Sequence, residues 1–124
     1  MKRILYIDDD MYNRLLVRRI LMAEGMQVEE AENAIAGIEM AQSNPPDLIL
    51  MDMSMPDMDG LTATAKIRDI PAISTIPIIA LTANVMQGDK ERSLNAGCDG
   101  YIGKPIDVDS FVDQISQYLK SDSI

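Results

Sequence analysis

A chain of 124 residues with one cysteine and 20 acidic against 11 basic side chains, a formal charge of −9, is sized for one hydrophobic core. That acidic balance argues against a nucleic-acid or anionic-membrane binder and points to a protein or cation partner. Cys98 has no second thiol to bridge, and no signal-like or membrane-length apolar run is present, so the expected location is cytoplasmic.

Strand and helix patterns alternate about every 25 residues, the spacing of βα units. There is no internal repeat, low-complexity segment or linker, which predicts a single domain over 1–124. Ile4 to Ile7 reads as the first strand and runs directly into Asp8, Asp9 and Asp10. Asp10 is placed to cap the next helix, because its side-chain oxygen can accept a free N–H of the first turn. That helix carries Leu15, Leu16, Ile20 and Leu21 and stops at Gly25, a residue suited to the left-handed turn after a helix. A weaker strand around Val28 has polar neighbours and is expected at a sheet edge. Asn33 then caps a helix through Ala41, and Pro45 and Pro46 forbid its continuation.

The stretch from Asp47 to Gly60 holds the strongest signal. Leu48 to Met51 are consecutively apolar, as in a strand buried on both faces. The strand ends in Asp52, and a loop punctuated by Pro56 and Gly60 follows. A carboxylate at the mouth of a buried strand is costly unless something uses it. In an open parallel α/β sheet the carboxyl ends of the strands are where ligands and chemistry collect. Asp52 is therefore the candidate reacting group.

After Gly60 a helix is expected through Arg68. Ile76 to Leu81 reads as the fourth strand, opened by Pro77 and closed by Thr82 and Ala83. A helix from Met86 to Ala96 ends at Gly97, a short fifth strand spans Gly100 to Gly103, and Lys104 and Pro105 follow. In the last helix Val108, Phe111, Val112, Ile115 and Leu119 form one apolar stripe. Five βα units with right-handed crossovers bury helices on both sides of one sheet, which predicts a three-layer α/β/α doubly wound fold.

If the strands are parallel, Asp8, Asp9, Asp52, Thr82 and Lys104 converge on one rim. Three carboxylates at about 4–6 Å repel by several kcal/mol per pair at an effective dielectric near 20, so one is protonated or a cation sits among them. A hard-oxygen set of this kind suits Mg²⁺.

Four segments together resemble the receiver domains of two-component response regulators, over essentially the whole chain. They are Ile7-Asp8-Asp9-Asp10, the run Leu50 to Gly60, Ala80-Leu81-Thr82-Ala83, and Tyr101-Ile102-Gly103-Lys104-Pro105. The likeness is to single-domain, chemotaxis-type regulators, and it implies a five-stranded parallel sheet in the order 2-1-3-4-5. It also implies that Asp52 takes a phosphoryl group from a phosphohistidine on a sensor histidine kinase or histidine phosphotransfer protein. Asp9, Asp52 and the backbone carbonyl of Ser54 would hold Mg²⁺, with Asp8 reaching it through water. Lys104 would neutralise the phosphoryl oxygens, Thr82 and Tyr101 would form the switch, and Ser54 and Asn84 would tune the lifetime of the acyl phosphate. The Lys104–Pro105 bond resembles the family's cis peptide. The implied output is a changed face of helix 4, strand 5 and helix 5 toward a protein target, without turnover catalysis beyond self-phosphorylation from small donors and autodephosphorylation.

Other readings compete. A small Mg²⁺-dependent phosphatase would carry a second acid two residues after the nucleophile, where this chain has Ser54. A flavodoxin-like carrier would need a phosphate-cradling loop after the first strand, and a phosphorylation-independent adaptor would lack some site residue. Asp57-Met58-Asp59-Gly60 has a passing likeness to a calcium loop but misses its other ligands. Ten methionines are present, and Met51, Met53, Met55, Met58 and Met86 crowd the rim, either as gap-filling side chains or as an apolar docking collar. Arg14, Arg18 and Arg19 give the first helix either a solvated basic face or, as the resemblance implies, a docking face for the histidine-bearing donor. Met1 directly before the first strand and the polar tail Ser121 to Ile124 favour a complete single-domain regulator over an excised receiver.

Overall fold

The five strands pair in the order β2-β1-β3-β4-β5, every pair parallel. In chain order the elements are β1 (Arg3–Ile7), α1 (Met11–Ala23), β2 (Gln27–Ala31), α2 (Ala34–Ser43), β3 (Leu48–Asp52) and α3 (Gly60–Arg68). They continue with β4 (Ile78–Thr82), α4 (Gln87–Ala96), β5 (Gly100–Gly103) and α5 (Val108–Ser116). The computed structural model describes residues 2–83 and 87–119, the side chains of 87–90 excepted. Met1, Asn84, Met86 and the tail Ser121 to Ile124 therefore lie outside the described residues.

The period-2 alternation of each strand divides the core in two. Ile4, Tyr6, Leu48, Leu50, Ile79 and Leu81 point to one side, where Val17 and Leu21 of α1 and Phe111 and Ile115 of α5 cover them. Leu5, Ile7, Ile49, Met51, Ile78 and Ala80 point to the other, under Ala34 and Ala41 of α2 and Ala63 and Ile67 of α3. β3 and β4 are buried along their whole length, because both have strands on either side and helices above and below. β2, at the sheet edge, keeps only Ala31 fully buried, as its polar sequence predicts.

Local signals set the helix ends. Asp10 accepts from the N–H groups of Tyr12 and Asn13, Asn33 from Ala36, Asp59 from Thr62 and Asp107 from Asp109. Gly25 has φ +81°, the left-handed conformation expected after α1. Some expectations need correction. β4 opens at Ile78 rather than Ile76, since Pro77 has no N–H to offer the ladder and only its carbonyl pairs, with Ile49 N. On α1 the buried face is Val17 and Leu21, whereas Leu16 is exposed. On α5 Val108 is 54% exposed, because it opens the helix before the face turns onto the sheet.

Candidate functional site

Register carries the polar side chains to one place. The last β1–β3 pair is Ile7 with Met51, so Asp8 and Asp52 each lie one residue beyond it on neighbouring strands. Strands in a sheet are about 4.8 Å apart, so two such acids cannot avoid one another. Asp52 pairs with Leu81 and Thr82 with Gly103, which brings the ends of β4 and β5 alongside. Asp8, Asp9 and Asp52 each offer an oxygen within 4.8 Å of the others.

Asp8 is fully buried, Asp52 is 3% exposed and Asp9 faces solvent. Lys104, just past β5, places its ammonium 2.9 Å from Asp52 Oδ1 and 3.3 Å from Asp8 Oδ2. The Lys104–Pro105 bond is cis, and Lys104 N donates to the Thr82 carbonyl at 2.7 Å. Burial pushes the Asp52 carboxyl above the usual carboxylate range; the Lys104 hydrogen bond pulls it back and the charge of Asp8 adds to the rise. Burial by itself would lower the Lys104 pKa, but the hydrogen bond and charge of Asp52, with Asp8, outweigh it and raise it. The ammonium stays charged. When all three acids are ionised, one ammonium leaves two negative charges uncompensated among hard oxygen donors only. That is the donor chemistry of a divalent ion of the Mg²⁺ class.

The remaining expected residues surround this centre. Ser54 N donates to Asp52 Oδ1 at 3.4 Å. Met53, Ser54, Thr82 and Ser93 help line a cleft of about 310 Å³ next to the strand ends. Thr82 is buried at the end of β4, and Tyr101 is half-buried against the α2 and α3 layer. Asn84 lies outside the described residues. Asp57 and Asp59 do not join the acidic cluster. Asp57 accepts from Ala34 N at 3.1 Å and Asp59 caps α3, so their carboxylates serve helix ends and the calcium-loop likeness dissolves. Met51 and Met55 are buried, Met53 and Met58 are half-buried against the same core layer, and Met86 lies outside the described residues. Cys98 is buried with its thiol pKa pushed up by desolvation, consistent with an inert core residue.

Three contributors were not foreseen. Tyr6 is fully buried and its hydroxyl donates to Asp8 Oδ2; burial and that hydrogen bond hold its phenol far above the usual range, so it is a neutral donor. Asn13 Nδ2 also approaches Asp8 Oδ2, at 3.5 Å. Arg14 donates to the Asp8 backbone carbonyl at 2.7 Å and pairs with Glu30 at 3.3 Å, so it braces the strand end instead of facing a partner. For Tyr6 a signal existed: a tyrosine two residues before an acid, on the same face of a strand otherwise aliphatic.

Residues 4–116 match the family model described as the response regulator receiver domain. The chain belongs to the response regulator receiver family. This receiver is 37% identical over 118 residues to the polar-differentiation response regulator DivK of Brucella anthropi, covering 95% of this chain and 96% of that protein. It is similar in structure to the chemotaxis protein CheY4 of Vibrio cholerae, with a TM-score of 0.91 at 26% identity over 96% of this chain and 99% of that one. It also resembles the receiver domain of the sensor histidine kinase PA1611 of Pseudomonas aeruginosa. There the TM-score is 0.88 at 33% identity over 97% and 98% of the two chains, and that structure has a magnesium ion coordinated in its active-site cleft. A receiver is a phosphorylation-activated signalling switch rather than an enzyme of steady turnover, which sets aside the phosphatase and electron-carrier readings. Its membership implies a histidine kinase or phosphotransfer donor. Among the described residues no helix is long and apolar enough to cross a membrane.

Proposed function

We propose that residues 1–124 act as one cytoplasmic receiver domain that takes a phosphoryl group onto Asp52 from a partner's phosphohistidine and signals through α4, β5 and α5. The observation that carries this reading is a nearly fully buried Asp52 held 2.9 Å from the Lys104 ammonium inside a three-carboxylate cluster. Phosphoryl transfer asks a protein for positioning and charge neutralisation more than for covalent help. A carboxylate oxygen of Asp52 forms the new P–O bond as the P–N bond to the donor imidazole breaks, and the electron pair leaves with the ring nitrogen. Lys104 then exchanges part of its contact with Asp52 for a phosphoryl oxygen.

Asp9, Asp52 and the Ser54 carbonyl would hold Mg²⁺, with Asp8 reaching it through water, as the all-oxygen donor set suits. When bound, the ion supplies positive charge to the phosphoryl oxygens. The Thr82 hydroxyl, beside the cleft, bonds the new acyl phosphate, and Tyr101 follows it inward. This is a two-state change biased by one added dianion. Ser54 and Asn84 set how fast water reaches the acyl phosphate.

Intact mass after incubation with Mg²⁺ and acetyl phosphate tests the assignment. The wild type should gain one phosphoryl group, and EDTA or Asp52→Ala should abolish the gain. No gain, together with no fluoroberyllate binding, would overturn it.

A further inference from the structure

Tyr6 fills its layer on the α1 and α5 side, where its face-neighbour Ile4 and its β3 register partner Leu50 are both aliphatic. An aliphatic residue would serve the packing there, and a buried hydroxyl is costly unless it finds an acceptor. Its acceptor is Asp8, two residues on along the same face, so strand alternation aims the phenol at the rim. Asp8 Oδ2 also receives Lys104 Nζ at 3.3 Å and Asn13 Nδ2 at 3.5 Å, while Oδ1 receives Asp10 N at 2.8 Å. A carboxylate has about four acceptor sites, and four donors converge on this one. Asp10 N is fixed by the backbone at the start of α1, and Tyr6 is fixed by the core. Lys104 reaches in on a long flexible stem, and Asn13 stands at the limit of hydrogen-bond distance.

We propose that Tyr6 is a positioning residue for phosphoryl transfer: its phenol locks the Asp8 carboxylate in one orientation, so that Lys104 and the cation site meet a pre-placed anion. The proposal rests on the phosphoacceptor reading above and deepens it. Tyr6→Phe keeps the ring, and with it the core layer, and removes only the donor. Asp8 Oδ2 then loses its rigid partner and the carboxylate is free to follow Lys104.

The test is a cycle of wild type, Tyr6→Phe, Asp8→Asn and the double variant, each titrated with Mg²⁺ by calorimetry and unfolded by urea in EDTA. Tyr6→Phe should weaken Mg²⁺ binding several-fold, less than the roughly 10–100-fold lost with the hydrogen-bond partner of a direct ligand, because Asp8 reaches the ion through water. Its phosphorylation by acetyl phosphate should slow at limiting Mg²⁺ and recover most of its rate at saturation. In the Asp8→Asn background the substitution should change little, and the two changes should be non-additive in metal-free unfolding. Mg²⁺ affinity within twofold of wild type, or additive effects on unfolding, would overturn the proposal. A wild type that binds Mg²⁺ but takes no phosphoryl group would sink the phosphoacceptor reading instead, leaving the metal-free cycle to decide whether Tyr6 holds Asp8.

Discussion

Asp8 and Asp52 are both buried, and one ammonium serves them both. Without a divalent ion the pair is a destabilised arrangement, because desolvation and mutual repulsion raise the Asp52 pKa against the pull of Lys104. The folded state then binds the proton of Asp52 more tightly than the unfolded state does. The stability this confers is complete below the unfolded carboxylate pKa of about 4 and is lost as pH rises through the folded value. Asp52→Asn removes that titration and leaves Lys104 paired with Asp8. In EDTA at neutral pH the variant should therefore be more stable than wild type by on the order of 1 kcal/mol, the linkage worth of a raised carboxyl pKa. Its melting temperature should rise by about 2–8 °C. The gap should close as pH is lowered toward 4. A variant less stable than wild type under these conditions would mean that the Lys104 contact outweighs the cost of burial.

At the scale of elements, the loop between β3 and α3 is tied down by the helix before it. The first four N–H groups of a helix lack intrahelical partners. In α2, Asn33 takes Ala36 N at 2.7 Å, and Asp57, from the far side of β3, takes Ala34 N at 3.1 Å and Ile35 N at 3.4 Å. Asp57 is solvent-exposed, so its contribution is that of an ordinary cap rather than a buried charge. Asp57→Ala should cost about 0.5–1 kcal/mol in urea unfolding and speed amide exchange at Ala34 and Ile35. Unchanged exchange at those amides would show that the cap is not kept in solution. Gly60 holds the other end of the same loop. A Cβ there would stand 2.6 Å from the backbone oxygen of Asp52, and backbone cannot give way as a flexible side chain can.

For the whole molecule, the question is which surface meets the donor. α1 leaves Met11 and Tyr12 exposed beside the acidic rim, and of its three arginines Arg14 is turned inward. Arg18 reaches Glu30 at 3.0 Å with its side chain still 47% exposed, so it can be shared with a partner. An exposed ion pair contributes about 0–1 kcal/mol, and Glu30 keeps Arg14 as a second partner. Arg18→Glu should thus leave folding and phosphorylation by acetyl phosphate nearly unchanged. Transfer from a phosphorylated histidine protein should slow several-fold, as measured by loss of label from the donor. Transfer from the phosphorylated histidine protein as fast as in the wild type would remove Arg18 from the docking surface.

Patterns local in the chain were enough for much of this protein. Alternating βα signals, the caps at Asp10 and Asn33, the left-handed Gly25 and the buried strand ending in Asp52 each depend on neighbouring residues, and each is found in the structure. The convergence of Asp8, Asp9 and Asp52 was legible because parallel strands place their carboxyl ends together whatever the helices between them do. Only the tertiary structure decided the rest. Which face of α1 is buried, that Val108 lies outside the α5 stripe, and that Asp57 caps a helix 23 residues back follow from how elements dock, which no local period encodes. The same holds for Tyr6. The chain shows a tyrosine near an acid, but a phenol becomes a committed donor only when the sheet and α1 exclude the water that would otherwise satisfy it.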